Sequence, residues 1–276
     1  MKITELSFEF FPPKTAEGVD KLGEARLQLF PLRPKFVSVT FGAGGSTKNG
    51  TFDIVLDMKK EGFKAIPHLS CVGSSKDSLR VILNQYRLNE IRHIVALRGD
   101  IPSQISKFGE LRYASELVKF IRAEHGDWFH IKVAGYPECH PQSSSQKKDL
   151  ENFANKVRAG ANSVITQYFF NADAYFRFVD DVGKLGVDIP IIPGIMPITN
   201  FLKLIHFSKM CGAEVPRWIA YRLESFRDDR EALQSFGADV ITVLCQRLID
   251  SGVPGLHFYT LNIASATREI CKRLGF

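Results

Sequence analysis

The chain has 276 residues, 45% of them hydrophobic and 24% charged, a composition that excludes a disordered or low-complexity polypeptide. Its net charge of +6 is spread over the whole sequence, which argues against a nucleic-acid tract and suits an anionic small molecule. No run of about 18 apolar residues marks a membrane span, and no signal-peptide pattern opens the chain. The expectation is a soluble, cytoplasmic protein with small-molecule partners, no nucleic acid and no membrane. Its five cysteines are an odd number with no C-x-x-C pair, so neither a disulfide framework nor a zinc site is expected.

The first strand, over residues 3–11, sets Glu9 among Phe8, Phe10 and Phe11, and a helix follows over 16–30. A second strand over 35–41 passes Thr40 and runs into the loop GAGGST at 42–47, before a helix over 49–61. The third strand, 65–70, carries Pro67-His68, and its helix over 75–89 is opened by a polar Ser-Lys-Asp-Ser run. The fourth, 93–97, leads into Arg98-Gly99-Asp100 and a helix over 113–124. The fifth, 130–135, leads into Tyr136 and His140, then a helix over 146–159 with Asp149, Asn152 and Lys156 on one face. The sixth, 163–169, holds Thr166-Gln167 and precedes a helix over 172–185; the seventh, 191–195, precedes one over 200–211. An extra segment over 212–229 predicts a short helix or lid. A long helix over 230–251, a last strand over 255–261 and a final helix over 264–274 complete the chain. Gly160, Gly186 and Gly252 follow helical stretches, as stops do. Eight β-then-α units with nearly continuous apolar strands predict a (β/α)8 barrel of the TIM type, one domain over 1–276.

In such barrels catalytic groups come from strand C-terminal ends and the loops after them, and the polar residues above gather at those positions. Alternation puts Glu9 on the face opposite its Phe neighbours. Inside the barrel, desolvation would raise its pKa and suit it to general acid work; the structural reading is a carboxylate paired with a cation such as Arg98. Asp100 either stabilises a cationic intermediate and tunes a cofactor, or caps a turn. The GAGGST loop either lets backbone N–H groups approach a phosphate or is a plain β-α turn. His68 and His140 lack metal-ligand spacing, leaving contact with a cofactor or a satisfied core position, and no metal site is expected. The Asp149, Asn152 and Lys156 face either holds the sugar and phosphates of a nucleotide or is a solvated helix surface.

The ordered set FEFFPP at 8–13, FVSVT at 36–40, PHL at 67–69, RHIVALRGD at 92–100, YPE at 136–138, HP at 140–141, AGAN at 159–162, ITQ at 165–167, PGI at 193–195 and HFYTLN at 257–262 resembles methylenetetrahydrofolate reductase in its short bacterial form. The resemblance implies a barrel binding FAD that reduces 5,10-methylenetetrahydrofolate to 5-methyltetrahydrofolate with NADH or NADPH, ping-pong through one site. It makes Glu9 the general acid for folate ring opening and Asp100 the charge near flavin and pterin. FAD would be held by Thr40, Ala43, His68, Arg98, Gly99, Asp100, Ala114, Tyr136, His140, Asp149, Asn152 and Lys156. Folate would be held by Gln167, by Phe207 against its rings, and at the position of Lys203, where the family carries Gln. A homo-oligomer is expected. A barrel flavoenzyme of the proline dehydrogenase type is the alternative, but it should lack the strand-one Glu and its Phe-Phe-Pro-Pro sequel. A flavin-free lyase would need a Schiff-base lysine or metal ligands at strand ends, and neither is there. A non-catalytic barrel subunit is disfavoured by the intact Glu9, Asp100 and Gln167 set.

Overall fold

The elements run β1 (Glu5–Phe10), α1 (Ala16–Leu29), β2 (Phe36–Val39), α2 (Lys48–Lys60), β3 (Ala65–Ser70), α3 (Lys76–Leu88), β4 (His93–Leu97), α4 (Ala114–His125), β5 (His130–Gly135), α5 (Gln146–Arg158), β6 (Ser163–Tyr168), α6 (Ala172–Lys184), β7 (Ile191–Ile195), α7 (Phe201–Cys211), α8 (Arg217–Ser225), α9 (Arg230–Asp250), β8 (Gly255–Tyr259) and α10 (Ala264–Arg273). They are taken from a computed structural model that describes residues 5–41, 48–100 and 109–276. Each strand pairs in parallel with its sequence neighbours and β8 pairs with β1, closing the barrel that the eight-unit pattern predicts. The segment expected as a short helix or lid forms α8.

Local chemistry explains the helix starts. Thr15, Ser75, Ser145, Asn171, Asn200 and Asp229 each precede a helix and accept a hydrogen bond from a backbone N–H of its first turn. In α3, Leu79, Leu83 and Tyr86 recur on one face and are buried against the barrel, while Val81 and Leu88 stay exposed.

Strand alternation produces two cores. Phe8 and Phe10 belong to the large core between sheet and helices, with Phe8 against Phe258 and Phe10 edge-on to Phe30, both at 6.2 Å between ring centroids. The other face encloses a separate small core of Phe36, Ile66, Val95 and Ile165. Register propagates that inner face around the barrel, because side chains at partnered positions of neighbouring strands share a face. Ser7 partners Phe36 and His257, and Glu9 partners Ser38 and Tyr259. Ser38 partners Ile66, His68 partners Val95, Val95 partners Lys132, and Lys132 partners Ser163. Late positions of this face (Glu9, Ser38, His68, Tyr259) therefore lie at the C-terminal end, and early ones (His93, His130, Lys132, Ser163) at the N-terminal end. The four apolar residues stand between them.

One irregularity matters for the site. Ile165 partners Ile192 but Tyr168 partners Gly194, so β6 carries one extra residue in the stretch that contains Gln167. Bulges of this kind re-aim a side chain at a barrel rim. Opposite it, a Cβ on Gly194 would sit 2.1 Å from the Thr166 carbonyl oxygen and 2.7 Å from the Tyr259 ring. Only a residue without a side chain lets the Tyr259 hydroxyl cross and donate to that carbonyl, at 2.7 Å. Gly194→Ala should therefore cost about 1–3 kcal/mol or more as overpacking, read as a lower urea midpoint at unchanged slope. An unaltered midpoint would show that the closure tolerates the methyl.

Candidate active site

Glu9 is the centre of the C-terminal mouth. Its side chain is only 17% exposed, with His68 Nε2 at 3.4 Å and His257 Nε2 at 3.6 Å from Oε2. Both of those ring nitrogens are buried and have no other partner. The far nitrogen of His257, Nδ1, lies 2.8 Å from Ser7 Oγ, two residues before Glu9 on the same strand face. The barrel closure fixes the backbone around the acid. Thr260 Oγ1 donates to the Glu9 carbonyl at 2.6 Å, while Asn262 accepts from the Phe11 N–H at 3.1 Å and donates to the Phe11 carbonyl at 2.9 Å. Reaching that geometry takes Leu261 and Asn262 to φ of 51° and 55°, a left-handed pair without glycine. Such backbone costs energy and persists only where surrounding contacts over-determine it.

Electrostatics follow from the burial. Desolvation raises the Glu9 carboxyl above the ordinary carboxylate range, with His68 and Ser38 acting in the opposite sense. Desolvation lowers the His68 imidazole, partly opposed by Glu9, and takes His257 down to about 3, helped by the charge of Lys132. Neither imidazole then offers a cation to ionise the acid, and all three groups favour their neutral forms. The pairing of Glu9 with Arg98 is not formed; Arg98 Nε instead donates to the Gly99 carbonyl at 3.3 Å.

Above Glu9 opens a cavity of about 1690 Å³. His68, Gln167, Tyr259 and Thr40, just past β2, line it beside the acid. Arg98, Gly99 and Asp100 border it from the loop after β4, so Glu9 and Asp100 face the same cavity at the same end of the barrel, Asp100 on its exposed rim. Gly99 has φ of 86°, and a Cβ there would stand 1.9 Å from Ser70 Oγ, which donates to the Arg98 carbonyl at 2.8 Å. A side chain at this position would meet both a strained backbone and a clash. Ala114, at the start of α4, lines the wall next to that loop.

The opposite wall comes from β5 and α5. The Tyr136 and His140 rings stand edge to face at 4.5 Å. His140 Nδ1 accepts from the Gln142 N–H at 3.1 Å, which leaves Nε2 as the protonated donor nitrogen of the neutral ring. Asp149 accepts from the His140 backbone N–H at 3.0 Å, tying the helix to the loop. Asn152 and Lys156 line the same wall. Lys156 Nζ donates to the Ala134 carbonyl, and burial takes its ammonium down to about 8 against the pull of Asp149. Gln167 Oε1 accepts from the Tyr168 N–H at 3.1 Å, which leaves the two amide N–H donors for other partners. Phe207, on α7, reaches the cavity; Lys203, one turn earlier, is exposed and does not line it. Ala43 and the GAGGST loop lie outside the described residues.

Three neighbours of the acid were not singled out from sequence: His257, Ser38 and Tyr259. The alternation used for Glu9, applied to the HFY run of the last strand, points His257 and Tyr259 to one face; which face requires the β1–β8 register. The cysteines are all free. Among the described residues no cluster of His, Cys, Asp and Glu could hold a metal ion, and no helix is long and apolar enough to cross a membrane.

A closed (β/α)8 barrel with a buried acid under a large cavity at the strand C-termini is the layout of a barrel enzyme. A family profile described as methylenetetrahydrofolate reductase matches residues 1–275. The chain is 43% identical over 271 residues to 5,10-methylenetetrahydrofolate reductase of Escherichia coli (strain K12), covering 98% of this chain and 90% of that one. Against the Buchnera aphidicola (subsp. Schizaphis graminum) protein of the same name it is 40% identical over 272 residues, covering 98% and 92%. A Clostridium thermocellum protein described as binding two copies of 5-methyl-5,6,7,8-tetrahydrofolic acid shares the fold, with a TM-score of 0.72 at 16% identity over 99% of this chain and 96% of that one. The chain belongs to the methylenetetrahydrofolate reductase family and is an oxidoreductase.

Glu9 links this geometry to stability. Because burial raises its folded pKa, the folded state keeps a proton that the unfolded chain has already released. The resulting stability is fully present below the unfolded carboxylate value and is lost as pH rises through the folded value. Urea titrations should show the stability of the parent minus that of Glu9→Gln falling across this window, by up to about 1.4 kcal/mol per pH unit. A difference that is flat or rises with pH would contradict the burial.

Proposed function

We propose that this protein reduces 5,10-methylenetetrahydrofolate to 5-methyltetrahydrofolate in the cytoplasm, with FAD at the C-terminal mouth and NADH or NADPH as electron source. The observation that carries the reading is a proton-holding carboxyl buried beneath a cavity whose other walls offer cations and hydrogen-bond donors. Membership of the family, and relatives named for this reaction, support the substrate.

The residues fit FAD. Lys156, Arg98 and His140 Nε2 suit a diphosphate, and the cradle at Gly99 lets backbone approach a flat ring system. A volume near 1690 Å³ exceeds the roughly 300–1,000 Å³ of a typical single-ligand pocket and suits a dinucleotide plus a second ring system. Thr40, Ala43, His68, Asp100, Ala114, Tyr136, Asp149 and Asn152 are assigned to the same cofactor. The chemistry FAD supplies when bound is two-electron storage between the nicotinamide and the folate, which lets the two half-reactions alternate at one site.

The chain's own residues handle the proton, the charge and the fit. Glu9 delivers the proton from its carboxyl to the bridge nitrogen that departs as the folate ring opens. The electron pair of the broken C–N bond stays on that nitrogen, and a methylene iminium is left on the other. Asp100 stabilises that cation with its carboxylate, and two electrons arriving as hydride at the methylene carbon complete the methyl group. Gln167 hydrogen-bonds the pterin and Phe207 packs against the ring system. Lys203 is assigned to the anionic glutamate tail outside the cavity.

Only the folate half-reaction uses the proton of Glu9. Stopped-flow flavin absorbance should show Glu9→Gln slowing oxidation by methylenetetrahydrofolate about 10²–10⁴-fold while reduction by NADH or NADPH stays within a few-fold. Equal loss of both phases would remove Glu9 from the acid role. Asp100→Asn, which deletes a negative charge beside the ring, should raise the flavin potential and slow folate reduction. Dye-coupled redox titration measures this, and an unshifted potential would place Asp100 elsewhere.

A further inference from the structure

The N-terminal end of the barrel interior carries chemistry for which folate reduction has no use. Lys132 on β5 is buried at 6% exposure, with its ammonium 4.6 Å from the Phe36 ring centroid and 3.0 Å from Ser163 Oγ. An ammonium has three N–H donors. Among the described residues this one has a single hydrogen-bond acceptor and no carboxylate within ion-pair distance. The acceptor is itself shared, since His130 Nε2 also lies 3.0 Å from Ser163 Oγ. The His93 ring packs at 4.8 Å from that of His130, and its Nδ1 is buried without any partner. Lys64 adds a second positive charge at the rim, and Glu5, itself paired with Lys35 at 2.8 Å, offsets only part of it.

Unpaired buried donors and incompletely balanced charge are costly, and an acceptor of negative charge that completes the group lowers that cost. Burial and Lys64 already take the Lys132 ammonium down to about 8, and burial with the neighbouring lysines takes His93 to about 3 and His130 to about 4. The two imidazoles are thus neutral and able to present an N–H. We propose that the floor of the barrel binds a small inorganic oxyanion of the phosphate class, held by Lys132 Nζ and His93 Nδ1 in the field of Lys64. The apolar layer of Phe36, Ile66, Val95 and Ile165 separates this site from the cavity above Glu9, so it does not depend on the reading of that cavity.

Two measurements test it. In crystals of the full chain soaked with tungstate, an anomalous peak is expected within hydrogen-bond distance of Lys132 Nζ and His93 Nδ1. In solution, inorganic phosphate at roughly five times its Kd should raise Tm by about 2–4 °C over sodium chloride of equal ionic strength. Lys132→Met, which keeps the stem over Phe36 and removes the charge, should abolish the part of the rise that survives in Lys156→Met, a change that disables the cationic wall of the upper cavity. A peak confined to the upper cavity, no peak at all, or a phosphate response retained in Lys132→Met would overturn the proposal. The crystal measurement uses the unmodified chain and decides the matter even if Lys132→Met does not fold.

Discussion

A carboxyl kept out of water is the constraint on which the upper half of this barrel depends. Strand alternation alone turns Glu9 inward, and the closure of β8 on β1 through Thr260 and Asn262 holds its backbone there. Burial then disfavours the charged form, and the usual rescue, a neighbouring cation, is withheld. The groups nearest its oxygens are two imidazoles that burial also keeps neutral. A protonated acid beside neutral histidines is self-consistent, because charging any one of the three would cost desolvation without an established partner to offset it. Had Arg98 reached Glu9, the same position would hold an ion pair and no proton to give.

The interior is divided by chemistry along its axis. Phe36, Ile66, Val95 and Ile165 form an apolar plate of side chains from β2, β3, β4 and β6. Above it the groups are an acid, two histidines, a tyrosine and an amide; below it they are lysine, histidines and serine. Such a plate limits water and keeps the dielectric low on both sides, so charges at either end act over longer range than at a surface. Burial, and after it the charge of Lys132, lowers His257.

Most of the fold was legible in the sequence because each strand is a short apolar run bounded by capped helices. Strands β3, β4, β5 and β7 fall on their expected bounds; β1 and β6 end one residue early, β8 ends two early, and β2 loses one residue at its start and two at its end, while residues 3–4 of the first expected strand lie outside the described residues. The shortfalls at C-terminal ends occur where the chain leaves the ladder to build the mouth, which periodicity cannot register. Glu9, Asp100, Gln167 and the β5–α5 wall were also legible, since each sits at a strand end or on one helix face. His257 was not, because its value depends on the register between the first and last strands, 248 positions apart from Glu9 to His257. The extra residue in β6 was hidden for the same reason: a bulge is defined by a partner strand, and the run ITQY reads as ordinary strand. Lys203 marks the opposite case, where correspondence in sequence points to a ligand and the helix turns the side chain to solvent.

Rigid and adjustable parts of the mouth are built differently, and the difference matches their tasks. The acid and its neighbours stand on strands whose ladder hydrogen bonds close a full circle, which suits groups that must hold sub-ångström geometry. The roof is α7, whose buried contacts are few: Leu204 and Ser208 face inward, while Leu202, Ile205, Phe207 and Met210 keep a third or more of their surface in water. Two polar tethers set its height. Tyr168 and Ser208 hydroxyls meet at 3.1 Å, and Glu138, from the loop after β5, accepts from the Glu214 N–H at 2.7 Å just past the helix. Both tethers start from the strand-end ring around Glu9 and Gln167 and end on the element that carries Phe207. A flat aromatic ligand sliding between Gln167 and Phe207 therefore meets a fixed floor and a roof that can shift by the slack in two hydrogen bonds. That arrangement fits the proposed use of one cavity by two ring systems in turn, with the acid beneath them held on strands.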